Sequence, residues 1–241
     1  MKQHLSVFLR FVRSNFYKLL LFYALLAMAQ VGLVAWEAKQ GAQLFHDAVD
    51  GSWAFRLWQV GYLATLILLW VTGGEFGSRQ GYTLKRLGIS YQMVYLWQAV
   101  YNCVMFFLFW AVMAGAMFVA AWVFYRMVLT RAESHNLFLS FYLGEYLHNL
   151  MPVTNAVRWI RNVVITLALG FTGAHFPLQQ RRKRFSFSAI VAGVCGMFGM
   201  SYGFTGSDGS TYDCVITFVA LLALLTALCD GLWKESDKDE G

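Results

Sequence analysis

Charge is what this chain has least of. Only 13% of its 241 residues are Asp, Glu, Lys or Arg, where an ordinary soluble domain carries about 25%. So little charge does not keep a chain of this size dissolved, which excludes a typical soluble enzyme. Proline is almost missing, with two residues. Together with 17% aromatics that excludes a disordered chain. Four cysteines, Cys103, Cys195, Cys214 and Cys229, show no C-x-x-C spacing. They give neither a disulfide framework nor a metal pattern and are read as small packing residues. His135 and His148 are likewise joined by no metal-ligand spacing. No Gly-x-x-x-x-Gly-Lys phosphate loop occurs, so ATP hydrolysis by that route is excluded for this chain.

What is present is apolar: 59% of residues. At about 20 residues per crossing, the length holds roughly five to seven spans. Six stretches qualify: Phe16–Trp36, Leu57–Thr72, Val94–Tyr125, Val153–Ala174, Phe187–Phe204 and Cys214–Trp233. None alternates with the period of two of a membrane barrel, so all six read as helices. Ala27-Met28-Ala29 before Gln30 resembles a signal-peptidase site, but the apolar run continues to Trp36. An uncleaved anchor is expected. The third stretch, at about 1.5 Å per residue, runs about 48 Å and must tilt, kink or project into water.

Basic residues then set the orientation. With the N-terminus inside, 13 of the 19 Lys and Arg fall on inner segments, among them Arg79, Lys85, Arg86 and the run Arg181–Arg184. The positive-inside rule is satisfied with both termini cytoplasmic. The net charge of +6 is thus mainly a topology signal, and nucleic acid is not an expected partner. Leu137–Met151 is short and interrupted by Glu145 and His148. It reads as an amphipathic helix in the outer interface, with Ser140, Gly144/Glu145 and His148/Asn149 as a narrow polar stripe. The expected architecture is all-α: a single six-helix transmembrane domain with that outer helix, lodged in the bilayer. Trp36, Trp53, Trp58, Trp70, Tyr125, Trp159 and Trp233 are expected as interfacial anchors.

Three polar features stand out. Asn155, Arg158, Arg161 and Asn162 put a polar face on the fourth span, where an Arg at mid-helix costs about 2.5–3.5 kcal/mol. One reading is a contact for an anionic substrate or lipid headgroup. The other is snorkelling to the outer interface with Glu145 or Glu133 as partner. Gln30, Gln59, Gln98, Tyr101 and Asn102 are expected to hydrogen-bond between helices. Gly193, Gly196, Gly199 and Gly203 recur at spacings of three or four and form a face for close helix packing, within the chain or with a second subunit. Gly199-Met200-Ser201-Tyr202-Gly203 also fits G-x-S-x-G. That motif needs a strained strand-to-helix turn, whereas here it lies in an apolar stretch. An intramembrane serine hydrolase with His175 as base is therefore a minor alternative.

The segment 75–92 between spans two and three is the most informative. Gly73, Gly74 and Gly77 loosen the exit from the membrane, Tyr82, Lys85, Arg86 and Ile89 fit a short surface helix, and Ser90 can cap the next helix. An acidic residue, glycine-rich sequence and a Gly-Ile-Ser start to the next span follow one another as Glu75, Gly81, Leu84, Leu87, Gly88, Ile89 and Ser90. This resembles the coupling segment of type-2 ATP-binding-cassette permeases, and six spans in about 240 residues are similar to the stand-alone membrane subunits of that family. The resemblance implies a permease subunit that pairs with a second, identical or paralogous, permease in a bacterial plasma membrane. It implies cytoplasmic ATPase subunits that carry ATP and magnesium, with no cofactor and no covalent chemistry on this chain. Glu75, Arg79, Lys85, Arg86 and Ser90 would then form the ATPase-coupling segment, and alternating access would export an antimicrobial peptide, drug or lipid. A substrate-binding membrane subunit of a vitamin-type importer is the alternative of similar span count.

Overall fold

Long apolar runs without proline make long helices, because nothing in them competes with the backbone ladder. A computed structural model of the chain describes residues 2–73, 90–128, 137–152, 155–181, 187–199 and 207–232. Among these, every regular element is an α-helix and there is no strand. The elements are α1 Lys2–Gln40, α2 Phe45–Gly51, α3 Ala54–Gly73, α4 Tyr91–Val128, α5 Leu137–Leu143, α6 Glu145–Leu150, α7 Ala156–Arg181, α8 Phe187–Gly199 and α9 Ser207–Leu232. Among the described residues, three helices are long and apolar enough to cross a membrane: the Asn15–Gln40 part of α1, Gln92–Val128 of α4 and Ser210–Leu232 of α9. Counting the bent pair α2–α3 as one span makes four. α8 is apolar but has 13 residues, about 20 Å of helix.

The helix ends follow local chemistry. α1 stops at Gly41, whose φ of +104° is closed to most side chains. The Ala42 N–H returns to the Glu37 carbonyl and the Gly41 N–H to that of Ala38, the paired bonds of a Schellman end. Ser52 makes the pivot between α2 and α3. Its hydroxyl donates to the Val49 carbonyl at 2.8 Å and accepts the Ala54 N–H at 3.3 Å. The Ser90 carbonyl receives the Met93 and Val94 N–H groups and so opens α4.

α1 and α4 run side by side, and α7 packs against α3, α4, α8 and α9. α2, α5 and α6 gather at one end of the bundle, where Phe45 meets Phe124 at 5.6 Å. At the far end Gln92 on α4 hydrogen-bonds the Leu232 carbonyl of α9. The centre is aromatic: Tyr62 and Phe109 meet edge to face at 5.0 Å, and Tyr23 and Trp58 also lie on Phe109. Trp58, expected at an interface, is 1% exposed in this core. The reason is that α3 starts at Ala54, earlier than the apolar run suggests. Trp36 and Trp53 do stay exposed.

The stretch Leu137–Met151 departs from the single amphipathic helix expected. Gly144 splits it: its extended backbone ends α5 and begins α6, and a methyl group there would lie 3.2 Å from His46 Cβ and the Ser140 carbonyl. The burial is also mixed along it. Ser140 and Asn149 are buried, while Leu139, Tyr142 and Leu143 are exposed. Phe141, Tyr146 and Leu147 are buried as well and Glu145 is exposed; Asn149 faces protein because it meets Arg161 there.

Candidate functional site

The first turns of α7 carry the polar face expected from sequence, and the structure divides its members by role. Asn155 stands just before the helix, and its side-chain oxygen accepts the Val157 N–H at 3.0 Å and the Arg158 N–H at 3.4 Å. It is the N-cap of α7. Arg158, Arg161 and Asn162, at spacings of three and four, project from one side of the helix into the bundle, and each is buried.

Their counter-charge comes from α9. Asp213 is 1% exposed. One carboxylate oxygen accepts Arg158 Nε at 3.0 Å, and the other accepts Nη1 of Arg161, which is 0% exposed. The remaining Arg161 donors are also used: Nε and Nη2 reach Asn162 Oδ1 at 3.2 and 3.0 Å, and Nη2 reaches Asn149 Oδ1 on α6 at 3.3 Å. Asn162 donates to the Asn149 backbone carbonyl at 2.8 Å, and Thr166 donates to the Asn162 carbonyl at 2.7 Å. One carboxylate and two side-chain amides thus surround the guanidiniums, and three helices, α6, α7 and α9, are bound into one unit. Two guanidiniums against one carboxylate leave these three ionised side chains one positive charge in excess. The Asn149 side-chain nitrogen, fully buried, has no hydrogen-bond partner.

The expected carboxylates do not take part as foreseen. Glu145 is exposed on α6, and Glu133 lies outside the described residues. Burial inside the bundle, with Asp213 as partner, replaces snorkelling to an interface. His148 flanks the cluster at the α6 side, edge-on to the Tyr142 ring at 6.0 Å. Burial, then the Arg158 and Arg161 charges, push its imidazole below the ordinary value, against the pull of Asp213.

Sequence reasoning missed Asp213 and Tyr146, and placed Asn149 on an interfacial stripe rather than beside Arg161. Tyr146 accepts the Gln30 side-chain amide at 2.9 Å and so ties α6 to α1. Asp213 had a signal. Ala220, Ala223, Ala227 and Gly231 form the buried small-residue stripe of α9. Extended back by seven residues, that stripe falls on Asp213.

The other sequence candidates lie elsewhere. Glu75, Arg79, Lys85 and Arg86 are outside the described residues, and Ser90 is exposed at the start of α4. Gly193, Gly196 and Gly199 face neighbours within this chain. A methyl group would stand 3.4 Å from Leu66 of α3 at Gly193, 3.1 Å from Leu169 of α7 at Gly196, and 2.6 Å from Ile165 at Gly199. Gly203 and Ser201 are outside the described residues. Gly199, the last one described before Ser201, meets Ile165, ten residues and about 15 Å along α7 from His175. His175 instead takes Gln179 as a hydrogen-bond partner at 3.0 Å. Asn102 donates to the Gly170 carbonyl at 3.3 Å, where α4 and α7 come so close that a methyl group at Gly170 would overlap the Cys103 sulfur.

A second polar place occupies the other half of α7. His175 and Gln179 line a cavity of about 490 Å³ between α7, α8 and α9. Among the described residues, no three His, Cys, Asp or Glu side chains converge as metal ligands. Comparison with family models, curated proteins and solved structures finds no match for the chain.

Proposed function

We propose that this chain is the membrane-spanning permease subunit of an ATP-binding-cassette exporter, working by alternating access and driven by separate ATPase subunits. The observation that carries the reading is the segment from Glu75 to Ser90. It connects α3 to α4, two helices of the apolar bundle, and its Glu75, Gly81, Leu84, Leu87, Gly88, Ile89 and Ser90 resemble the coupling segment of type-2 permeases. Arg79, Lys85 and Arg86 make it basic, which suits an inner-face segment that meets a soluble partner.

The packing of α7 supports counting it as a crossing. Its 26 residues span about 39 Å, and its charged side chains Arg158 and Arg161 are turned inward onto Asp213 rather than toward lipid. In this arrangement α2, α5 and α6 lie at the outer end and both termini at the inner end of a bacterial plasma membrane. The cluster makes α6, α7 and α9 move as one body. A second permease, identical or paralogous, completes the pathway, and ATP with magnesium is held by the ATPases. The exported substrate class is an antimicrobial peptide, a drug or a lipid.

The test is co-purification. A tagged chain extracted in mild detergent from its own host is expected to bring down a stoichiometric ATPase polypeptide. Charge reversal at Lys85 and Arg86 together should remove it while the chain stays folded. An ATPase retained at full yield by that variant would sink the docking assignment, and no ATPase with the unmodified chain would sink the exporter reading.

A further inference from the structure

We infer that the ends of α7 and α8 away from Asp213 form a hinged arm, which turns about Pro177 and Gly193 and closes onto α9 into the cavity between the three helices. The hinge in α7 is local chemistry. Of the two prolines in the chain, Pro177 is the one inside a helix. Having no N–H, it leaves the Gly173 carbonyl without its helical donor, and its ring crowds that carbonyl. One turn earlier the Thr172 hydroxyl donates to the Ala168 carbonyl at 2.6 Å, a bond of the kind that bends helices. Up to Phe176 the helix is held. Phe176 stacks on Trp70 of α3 with ring centres 4.1 Å apart, and Ala174 is buried in one cluster with Tyr95 and Ala99 of α4. Beyond Pro177 one turn remains, and Gln179 in it lines the cavity. The contact of Gln179 with His175, at 3.0 Å, bridges Pro177 and joins α7 only to itself.

α8 supplies the other half of the arm. It is pinned at its far end, where a methyl group would stand 3.4 Å from Leu66 at Gly193, 3.1 Å from Leu169 at Gly196 and 2.6 Å from Ile165 at Gly199. Before Gly193 it stands off from its neighbours. Phe187, Ser188 and Val191 line the cavity, and Phe187 is 70% exposed. A helix pinned along one end and free at the other pivots at its last tight contact, which is Gly193. The cavity of about 490 Å³ is the space left beside the free end. Its wall on α9 includes Val219, Leu222 and Ala223, so closure brings Val191 and Phe187 onto apolar surface and gains dispersion contacts. The bonds from Gln179 to His175 and from Thr226 to the Ala223 carbonyl each lie within one helix, and closure breaks neither. The other end of α7 cannot follow, because Asp213 and Asn149 hold it to α9 and α6.

The arm needs neither ATP nor a partner to move, so it stands or falls separately from the exporter reading. The experiment uses the full chain purified in mild detergent, with its four cysteines replaced by alanine and a new pair introduced as Phe187→Cys on α8 and Leu222→Cys on α9. Disulfide formation under a mild oxidant is followed in time. The bond needs Cβ atoms about 3.5–4.5 Å apart, so it traps the closed arm even when that state is the minor one. The pair is expected to cross-link within one chain. Pro177→Ala restores the backbone donor and should slow the reaction about tenfold, as the closed population falls. Ala223→Phe fills the space and should slow it at least as much. If that variant does not fold, Val191→Phe on the opposite helix takes its place, with the same expectation. A pair that does not cross-link overturns the inference. An unchanged rate in Pro177→Ala overturns the hinge, and an unchanged rate in the cavity-filling variant overturns the closure.

Discussion

The two halves of α7 handle polar side chains in opposite ways. In the first half, Arg158, Arg161 and Asn162 find Asp213 and Asn149 within the chain, and every nitrogen of the Arg161 guanidinium is engaged. In the second half, His175 and Gln179 satisfy each other at one contact and otherwise border a cavity with Asp230 across it. Helix and bundle are the same. The difference teaches that buried charge by itself does not mark a ligand site. Where the protein supplies the counter-charge, the charge is spent on holding helices together. Where two polar side chains of one helix meet each other beside a cavity, as His175 and Gln179 do, that contact ties in no second helix.

That contrast can be broken by experiment. The largest effect is expected from Asp213→Asn, which leaves two buried guanidiniums facing each other. Thermal or denaturant unfolding in detergent should show a loss of about 3–5 kcal/mol. Gln179→Ala at the other end removes one hydrogen bond and should cost about 1 kcal/mol. Equal melting of the two variants would erase the distinction between the halves. Next in size are the arginines. Arg161→Gln abolishes bonds to three residues and should cost more than Arg158→Gln, which leaves one neutral Arg161–Asp213 pair; a reversed order would mean that Arg158 is the anchor. Asn155→Ala removes the cap of α7 and is expected to cost about 1 kcal/mol, read in the same unfolding assay. The smallest effect concerns pH. The folded state holds His148 below its ordinary value of 6.5, so the unfolded chain binds the proton first as pH falls. The stability linked to His148 is complete above 6.5 and is lost as pH drops from there toward the lowered folded value. His148→Gln should flatten that part of the stability profile, and an unchanged slope would place the pH dependence on other groups.

Much of this was legible in order of sequence distance. The helical class followed from period and length alone, since a run such as Val94–Tyr125 offers the backbone no turn residue. The arginines of α7 were legible as the costly residues of the chain. Their partner was not, because Asp213 is 52 residues from Arg161 and stood one residue outside the apolar run that began at Cys214. Helix α9 in fact starts at Ser207, for a helix inside a bundle need not be apolar where its side chains are paired. Asn155 was placed on a polar face for a similar reason: apolarity and Pro152 put the helix start at Val153, while the cap chemistry puts it after Asn155. The glycines at 193, 196 and 199 announced a close contact without saying whose.

The sequence by itself determined that the chain is helical, apolar and marked by a few costly charges. Period, propensity and the price of charge in lipid are local properties, and each residue brings its own. The tertiary structure decided which of those charges are closed into a protein-made cluster and which border a cavity. That choice depends on which helix lies beside α7 at each height, and only packing sets it.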